Sequence, residues 1–150
     1  MRTVQVSKVL DAPQQNVWDV LYDFPNISQW NSGVTASYAT GQELGVGAQR
    51  HCDLSPTGQL EETLLELDEP NRALVRIDST KRIPIKHGEV EFQLEPTDLG
   101  TTVTLTYSYA PKGGPLSGLV GRVMDPQLQK GFGGFLDDLG VEAAKRAGTA

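Results

Sequence analysis

The chain is short of the residues that carry much enzyme chemistry. Its 150 residues include one cysteine, Cys52, and two histidines, His51 and His87. A lone cysteine excludes an intrachain disulfide. Structural zinc needs four clustered donors. His51 and Cys52 are neighbours, and neighbours on a strand point to opposite faces, so no metal is expected. No G-x-S-x-G nucleophile turn occurs. Gly45-Val46-Gly47-Ala48-Gln49-Arg50 lacks the third glycine of a dinucleotide fingerprint, and Gly131-Phe132-Gly133-Gly134 lacks the lysine of a phosphate loop. No cofactor is expected. No apolar run reaches the roughly 18 residues of a membrane span, so integral membrane association is not expected either. Met1 to Val6 alternates polar and apolar residues and lacks the apolar stretch of a secretory signal. The expected location is cytoplasmic, where the sequon Asn26-Ile27-Ser28 stays unmodified. Cations are also scarce, at 13 Lys and Arg against 19 Asp and Glu for a net charge of −6. A phosphate backbone needs a basic footprint, so nucleic acid is not an expected partner. The basic pairs Lys81-Arg82 and Lys86-His87 read as the solvated end of a hairpin.

What is present reads as one α+β domain over residues 1–150, long enough for a real core. Residues 3–10 suggest a strand, with a bulge near Ser7-Lys8. Asp11-Ala12-Pro13 opens a helix, with Asp11 or Ala12 at the cap and proline in the first turn. Val17, Val20, Leu21 and Phe24 follow at helical spacing, flanked by Trp18 and Tyr22. Pro25 ends that helix, and Ile27 with Trp30 suggests a second short turn.

From residue 34 to residue 110 the period changes to two. Segments 34–40, 48–54, 60–67, 73–79, 85–94 and 101–109 read as strands separated by Gly, Pro, Asn and Asp turns. Six such strands make an antiparallel meander with one apolar face that something must cover. The only long segment left is C-terminal. Leu116, Leu119, Val120, Val123, Met124, Leu128, Phe132, Phe135, Leu136, Leu139 and Ala143 recur every three or four residues, which predicts an amphipathic helix. Pro126 predicts a kink or break, with Asp125 as a local cap. Six glycines in this helix weaken it, unless they allow close approach to the sheet or room for a ligand. Residues 147–150 are expected to fray.

The order of strand, two short helices, meander and long terminal helix resembles the START-like (SRPBCC) superfamily, in its polyketide cyclase/dehydrase-type branch. Ala12-Pro13 with Val17-Trp18 resembles that family's helix opening, continued by Leu21, Asp23, Phe24 and Trp30. Gly45-Val46-Gly47 with Arg50, and Glu62 to Asp68 with Arg72, resemble its strand motifs. The resemblance implies a helix-grip fold: a curved antiparallel sheet of about seven strands wrapped around the C-terminal helix, with a cavity between them. Its members include carriers of hydrophobic molecules, polyketide aromatase/cyclases and protein-binding modules, so fold alone does not choose a function.

The expected function is binding of a hydrophobic or amphipathic small molecule, such as a lipid, polyketide or aromatic metabolite. The alternatives are a cyclase/dehydratase-type enzyme and a protein-interaction or stress-response module. Arg50 shares a strand face with Ala48 and Cys52, Glu62 with Leu60 and Leu64, and Arg76 with Leu74. If those faces are concave, Arg50, Glu62 and Arg76 enter the cavity and must pair with each other or with a ligand; if convex, they pair across the surface. Glu62 and Arg50 are the catalytic candidates. Trp30, Leu64, Phe92, Leu105 and Tyr107 are candidate walls, with Tyr107 and Tyr109 offering hydroxyls, and Trp30 and Phe24 either lining one end or packing the small helices. Leu119, Val120, Val123, Met124, Leu128 and Phe132 are the candidate floor. Pro111–Pro115 and Arg82-Ile83-Pro84 are candidate gates. The chain is expected to be a monomer or homodimer.

Overall fold

In a computed structural model that describes residues 1–148, the alternating segments form one seven-stranded antiparallel sheet. Its strands are β1 (Arg2–Leu10), β2 (Val34–Ala39), β3 (Gln49–Leu54), β4 (Gln59–Asp68), β5 (Arg72–Lys81), β6 (Ile85–Thr97) and β7 (Gly100–Pro111), in the order β1-β7-β6-β5-β4-β3-β2. Helix α1 spans Gln14–Tyr22, a 3₁₀ segment follows at Phe24–Gln29, and helix α2 spans Ser117–Gly148. The expected helix-grip fold is present. Thr149 and Ala150 lie outside the described residues, whereas Ala147 and Gly148, expected to fray, belong to α2.

Period-two patterning sets the sheet. On β7, Thr101, Val103, Leu105, Tyr107 and Tyr109 are buried while Thr102, Thr104, Thr106 and Ser108 are half-buried. On β6, Val90, Phe92 and Leu94 face the same way. Register shifts between Glu61 and Glu62 and between Leu64 and Glu66 mark bulges, which bend a strand and increase its twist. β1 has none. It pairs with β7 in unbroken register from Arg2 to Leu10, so the bulge expected near Ser7-Lys8 does not form.

Three local expectations change. Pro13, not Asp11 or Ala12, is the residue before α1, and no side chain caps it. Trp18 does not flank the stripe; it is fully buried, with its indole N–H donating to Glu69 Oε1 at 2.9 Å. Helix α2 runs through Pro126 without the break that was one of the two outcomes expected there. Asp125 caps nothing there. It accepts from the Arg2 guanidinium at 2.5 and 3.1 Å and from the Tyr109 hydroxyl, tying α2 to the ends of β1 and β7. The Arg2 hydrogen bond, then that of Tyr109, holds the Asp125 carboxyl below the usual carboxylate range. Burial, then Asp125, pushes the Tyr109 phenol up to about 12.

The glycines of α2 divide by surroundings. A Cβ on Gly121 would stand 2.0 Å from Arg2 Cδ, while one on Gly118 or Gly134 would meet nothing within 4 Å. Gly134→Ala should therefore raise stability by about 1 kcal/mol, the helix-propensity gain of an interior position, and Gly118→Ala, in the first turn, by less. At Gly121 that gain should be cancelled by displacement of Arg2 from Asp125. Urea unfolding midpoints of the three variants check this.

On the outer side of β3, His51 stacks on Tyr38 with centroids 4.9 Å apart. Its Nδ1 contacts Glu61, and its Nε2 lies 2.8 Å from Asp53 Oδ1. Hydrogen bonds with Glu61 first and Asp53 second raise the His51 pKa. A raised folded-state pKa gives stability that is full below the unfolded value, about 6.5, and is lost as pH rises through the folded value. His51→Gln should accordingly cost more stability at pH 6 than at pH 9 in paired denaturation curves.

Candidate functional site

Helix α2 does not touch the sheet evenly. Its backbone approaches β1, β7 and α1 and no other strand. Leu136, Leu139 and Ala143, in its second half, are fully buried beside Val17, Trp18, Leu94, Val103 and Leu105. Met124, Leu128, Phe132 and Phe135, in its first half, are only partly buried. α1 and the far end of α2 thus plug one end of the sheet. The near end of α2 stands off β3, β4 and β5.

The space left is a cavity of about 280 Å³. Its sheet wall includes Leu60, Val75, Ile77, Val90, Phe92 and Tyr107, and its helix wall includes Met124, Leu128, Phe132 and Phe135. Gly33, Gln127 and Gly131 also line it and are solvent-exposed, so it opens on their side. An apolar cavity of about 150 Å³ suffices to bind benzene. This one therefore has room for a fused two-ring molecule or a short acyl chain.

Few polar groups reach the cavity, and they are specific ones. Arg50 and Glu62 are directly opposite on β3 and β4. The Arg50 Nε donates to Glu62 Oε1 at 3.1 Å and its Nη2 to Oε2 at 3.4 Å, while its Nη1 donates to the Phe24 carbonyl at 2.9 Å. Its guanidinium carbon lies 3.8 Å from the Phe24 ring centroid. Both side chains of the pair are at least nine-tenths buried. The Cys52 thiol lies 3.5 Å from Glu62 Oε1. Burial first, then the Glu62 charge, pushes that thiol far above its ordinary pKa, so it stays protonated and is no nucleophile.

Two residues that line the cavity carry a polar group with no protein hydrogen bond among the described residues. Asn31 is 6% exposed and lines the cavity. Its Oδ1 accepts from the Gly33 amide at 2.8 Å, which fixes the amide orientation, and its Nδ2 is buried and unpaired. The Tyr107 hydroxyl has no protein hydrogen bond either. Burial first, then Glu62 and Tyr109, keeps its phenol protonated well above the ordinary range. Burying a donor without a partner costs free energy.

Of the sequence candidates, Arg50, Glu62, Phe92, Tyr107, Met124, Leu128 and Phe132 line this cavity. Trp30 and Leu64 instead line an adjoining crevice of about 20 Å³, with Phe24, where the Trp30 indole N–H is unpaired. Leu105 lies behind the wall in the solid core. Arg76 is on the convex face. Its Nε donates to Asp78, and Ala73, Val75 and Ile77 take the inward positions of β5. Leu119 and Val123 are 61% and 58% exposed, because the first turns of α2 project beyond the sheet. Val120 packs toward Gly113. Sequence reasoning missed Asn31, Cys52, Ile77, Gln127 and Phe135 as lining residues. Of the two expected gates, Ile83 lines the cavity, and the Lys112 amide donates to the Pro84 carbonyl at 2.9 Å, so both loops meet at one edge of it.

Solved structures of the same shape cover nearly the whole chain. TTHA0849 from Thermus thermophilus superposes with a TM-score of 0.82 at 17% identity, over 97% of this chain and 99% of that one. The Zhui aromatase/cyclase from Streptomyces sp. R1128 gives 0.78 at 17% identity, over 97% and 94%. Ara h 8.0201 gives 0.71 at 13% identity, over 96% and 98%. At these identities the likeness concerns the fold. A search of curated proteins found no significant match. The family model for polyketide cyclase / dehydrase and lipid transport matches residues 1–144, and with that match the chain belongs to this family of the START-like superfamily.

Proposed function

We propose that the protein binds a small hydrophobic molecule bearing a hydrogen-bond acceptor, held between the sheet and the first half of α2. The observation that carries this reading is an apolar cavity lined by Tyr107, whose hydroxyl has no protein hydrogen bond among the described residues, and by Asn31, whose Nδ2 is a buried donor without a partner in its wall. An apolar ligand gains from leaving water, and a carbonyl on it would relieve those donors. Arg50 and Glu62 satisfy one another, which suits a fixed polar wall more than a mobile acid or base.

The test compares two probes of equal shape, 2-acetylnaphthalene and 2-ethylnaphthalene, by calorimetric titration. The ketone should bind more tightly by about 2–10-fold, the worth of one net hydrogen bond. Tyr107→Phe with Asn31→Leu should erase that preference while the hydrocarbon still binds. No binding of either probe, or equal binding to the unaltered protein, contradicts the reading.

A second reading is an enzyme of the cyclase/dehydratase kind, favoured by a protonated phenol facing the cavity. There the Tyr107 hydroxyl would hydrogen-bond to a substrate carbonyl and polarise it while keeping its own proton. Tyr107→Phe would then abolish turnover of a polyketide-type substrate with little loss of affinity, whereas a carrier would show only the affinity change.

A further inference from the structure

The chain is acidic overall, yet two stretches that meet at one end of it contain no acid. No Asp or Glu occurs between Asp78 and Glu89, or between Asp98 and Asp125. The first gap spans the β5–β6 turn; the second spans β7, the loop after it and the first turns of α2. These segments meet in space. Ile85 pairs with Pro111 and His87 with Ala110 across β6 and β7, and Lys112 bonds to Pro84.

Lys81, Arg82, Lys86, Lys112 and Arg122 all lie on this end, and among the described residues none has an ion-pair partner. By contrast Lys8, Arg50, Arg72 and Arg76 are each paired with a carboxylate, and Arg2, at the edge of this end, is paired with Asp125.

The same end exposes apolar side chains. Leu116, Leu119 and Val123 are 64%, 61% and 58% exposed. They follow at one-turn spacing, and Val123 neighbours Val120 and Gln127 on the helix surface. Gln127 and Met124 line the cavity. The apolar stripe of α2 therefore runs without a break from the cavity wall out onto the surface, and cations flank it.

Basic side chains around exposed leucines on the first turns of a helix are the chemistry of an anionic membrane surface. We propose that this end docks on an anionic lipid bilayer, with Leu116, Leu119 and Val123 entering the headgroup region and the five cations meeting lipid phosphates. At physiological salt, charges more than about 8–10 Å from a membrane are screened, so the local cluster outweighs the distant acids. Docking there turns the Ile83 and Met124 edge of the cavity toward the bilayer.

The test is co-sedimentation of the full chain with phosphatidylcholine vesicles containing one-third phosphatidylglycerol, against pure phosphatidylcholine vesicles. The protein should sediment with the first and not the second. Raising the salt from about 0.1 to about 1 M, which shortens the screening length from about 10 to about 3 Å, should release it. Lys112→Glu with Arg122→Glu should weaken partitioning at least about tenfold, as should Leu119→Ser with Val123→Ser. None of these four residues lines the cavity, so circular dichroism and binding of 2-acetylnaphthalene in solution should not change. No sedimentation with the anionic vesicles, or sedimentation indifferent to all four substitutions, overturns the proposal. Capture of a soluble acidic protein by this end, with no vesicle binding, overturns it too. Loss of naphthalene binding in the unaltered protein would count against the cavity reading and leave the docking result standing.

Discussion

Arg50→Ala should cost the fold about 3 kcal/mol, the low end of the roughly 3–5 kcal/mol lost when one partner of a buried ion pair is removed. The substitution strips Glu62 of two hydrogen bonds and Phe24 of one, and leaves a carboxylate 7% exposed that, among the described residues, keeps a hydrogen bond from the Cys52 thiol alone. The cation–π contact with Phe24 goes as well. The low end applies because the adjoining cavity is open on one side, and water entering it would reach the stranded carboxylate. Replacing both members, as Arg50→Met with Glu62→Leu, should recover most of the loss, since no unpaired charge then remains buried. Urea denaturation of the single and double variants measures both quantities. A single-variant loss below about 1 kcal/mol would mean that the pair is effectively a surface pair. The expected recovery has a functional corollary: stability alone gives no reason for an ion pair at this spot, whereas a polar wall in an otherwise apolar cavity gives one.

Gly131→Leu should move stability and affinity in opposite directions. Gly131 is in the middle of α2 on the cavity stripe, and a Cβ there would meet nothing within 4 Å. Leucine is a far better helix former than glycine, so the fold should gain about 0.5–1 kcal/mol. Its side chain would also take up space in a cavity of about 280 Å³. Displacing three or four ligand methylenes, at about 0.8 kcal/mol each, lowers affinity roughly a hundredfold. Thermal unfolding and calorimetric titration with 2-acetylnaphthalene on the same preparation would show both effects. Unchanged affinity would mean that the ligand sits elsewhere.

Much of the fold was legible because burial on a sheet has a period of two. Val90, Phe92 and Leu94 could not share a face with Glu89, Glu91 and Gln93. That Arg50 shares a face with Ala48 and Cys52, and Glu62 with Leu60 and Leu64, was legible for the same reason, but whether that face is concave was not, because parity does not say which side α2 covers. β5 was ambiguous. Ala73, Leu74, Val75 and Ile77 put apolar residues on both parities, and only the packed sheet shows that Leu74 and Arg76 face outward. The helix was harder still. Apolar residues from Leu116 to Phe135 cover more than one face, and which of them meet sheet, cavity or solvent depends on how far α2 overhangs. The Arg2–Asp125 contact joins residues 123 positions apart, and nothing local to either residue announces it. Asn31 gave no signal because it sits in a turn where asparagine is common.

The central claim is that α2 closes the sheet without filling it, leaving a site for a small molecule. Native mass spectrometry of the protein purified from its own source, under non-denaturing conditions, tests this most directly. The account predicts a bound species of a few hundred daltons that is lost on denaturation and absent from Gly131→Leu. A bare polypeptide mass, in a protein that also takes up neither naphthalene probe, would contradict it.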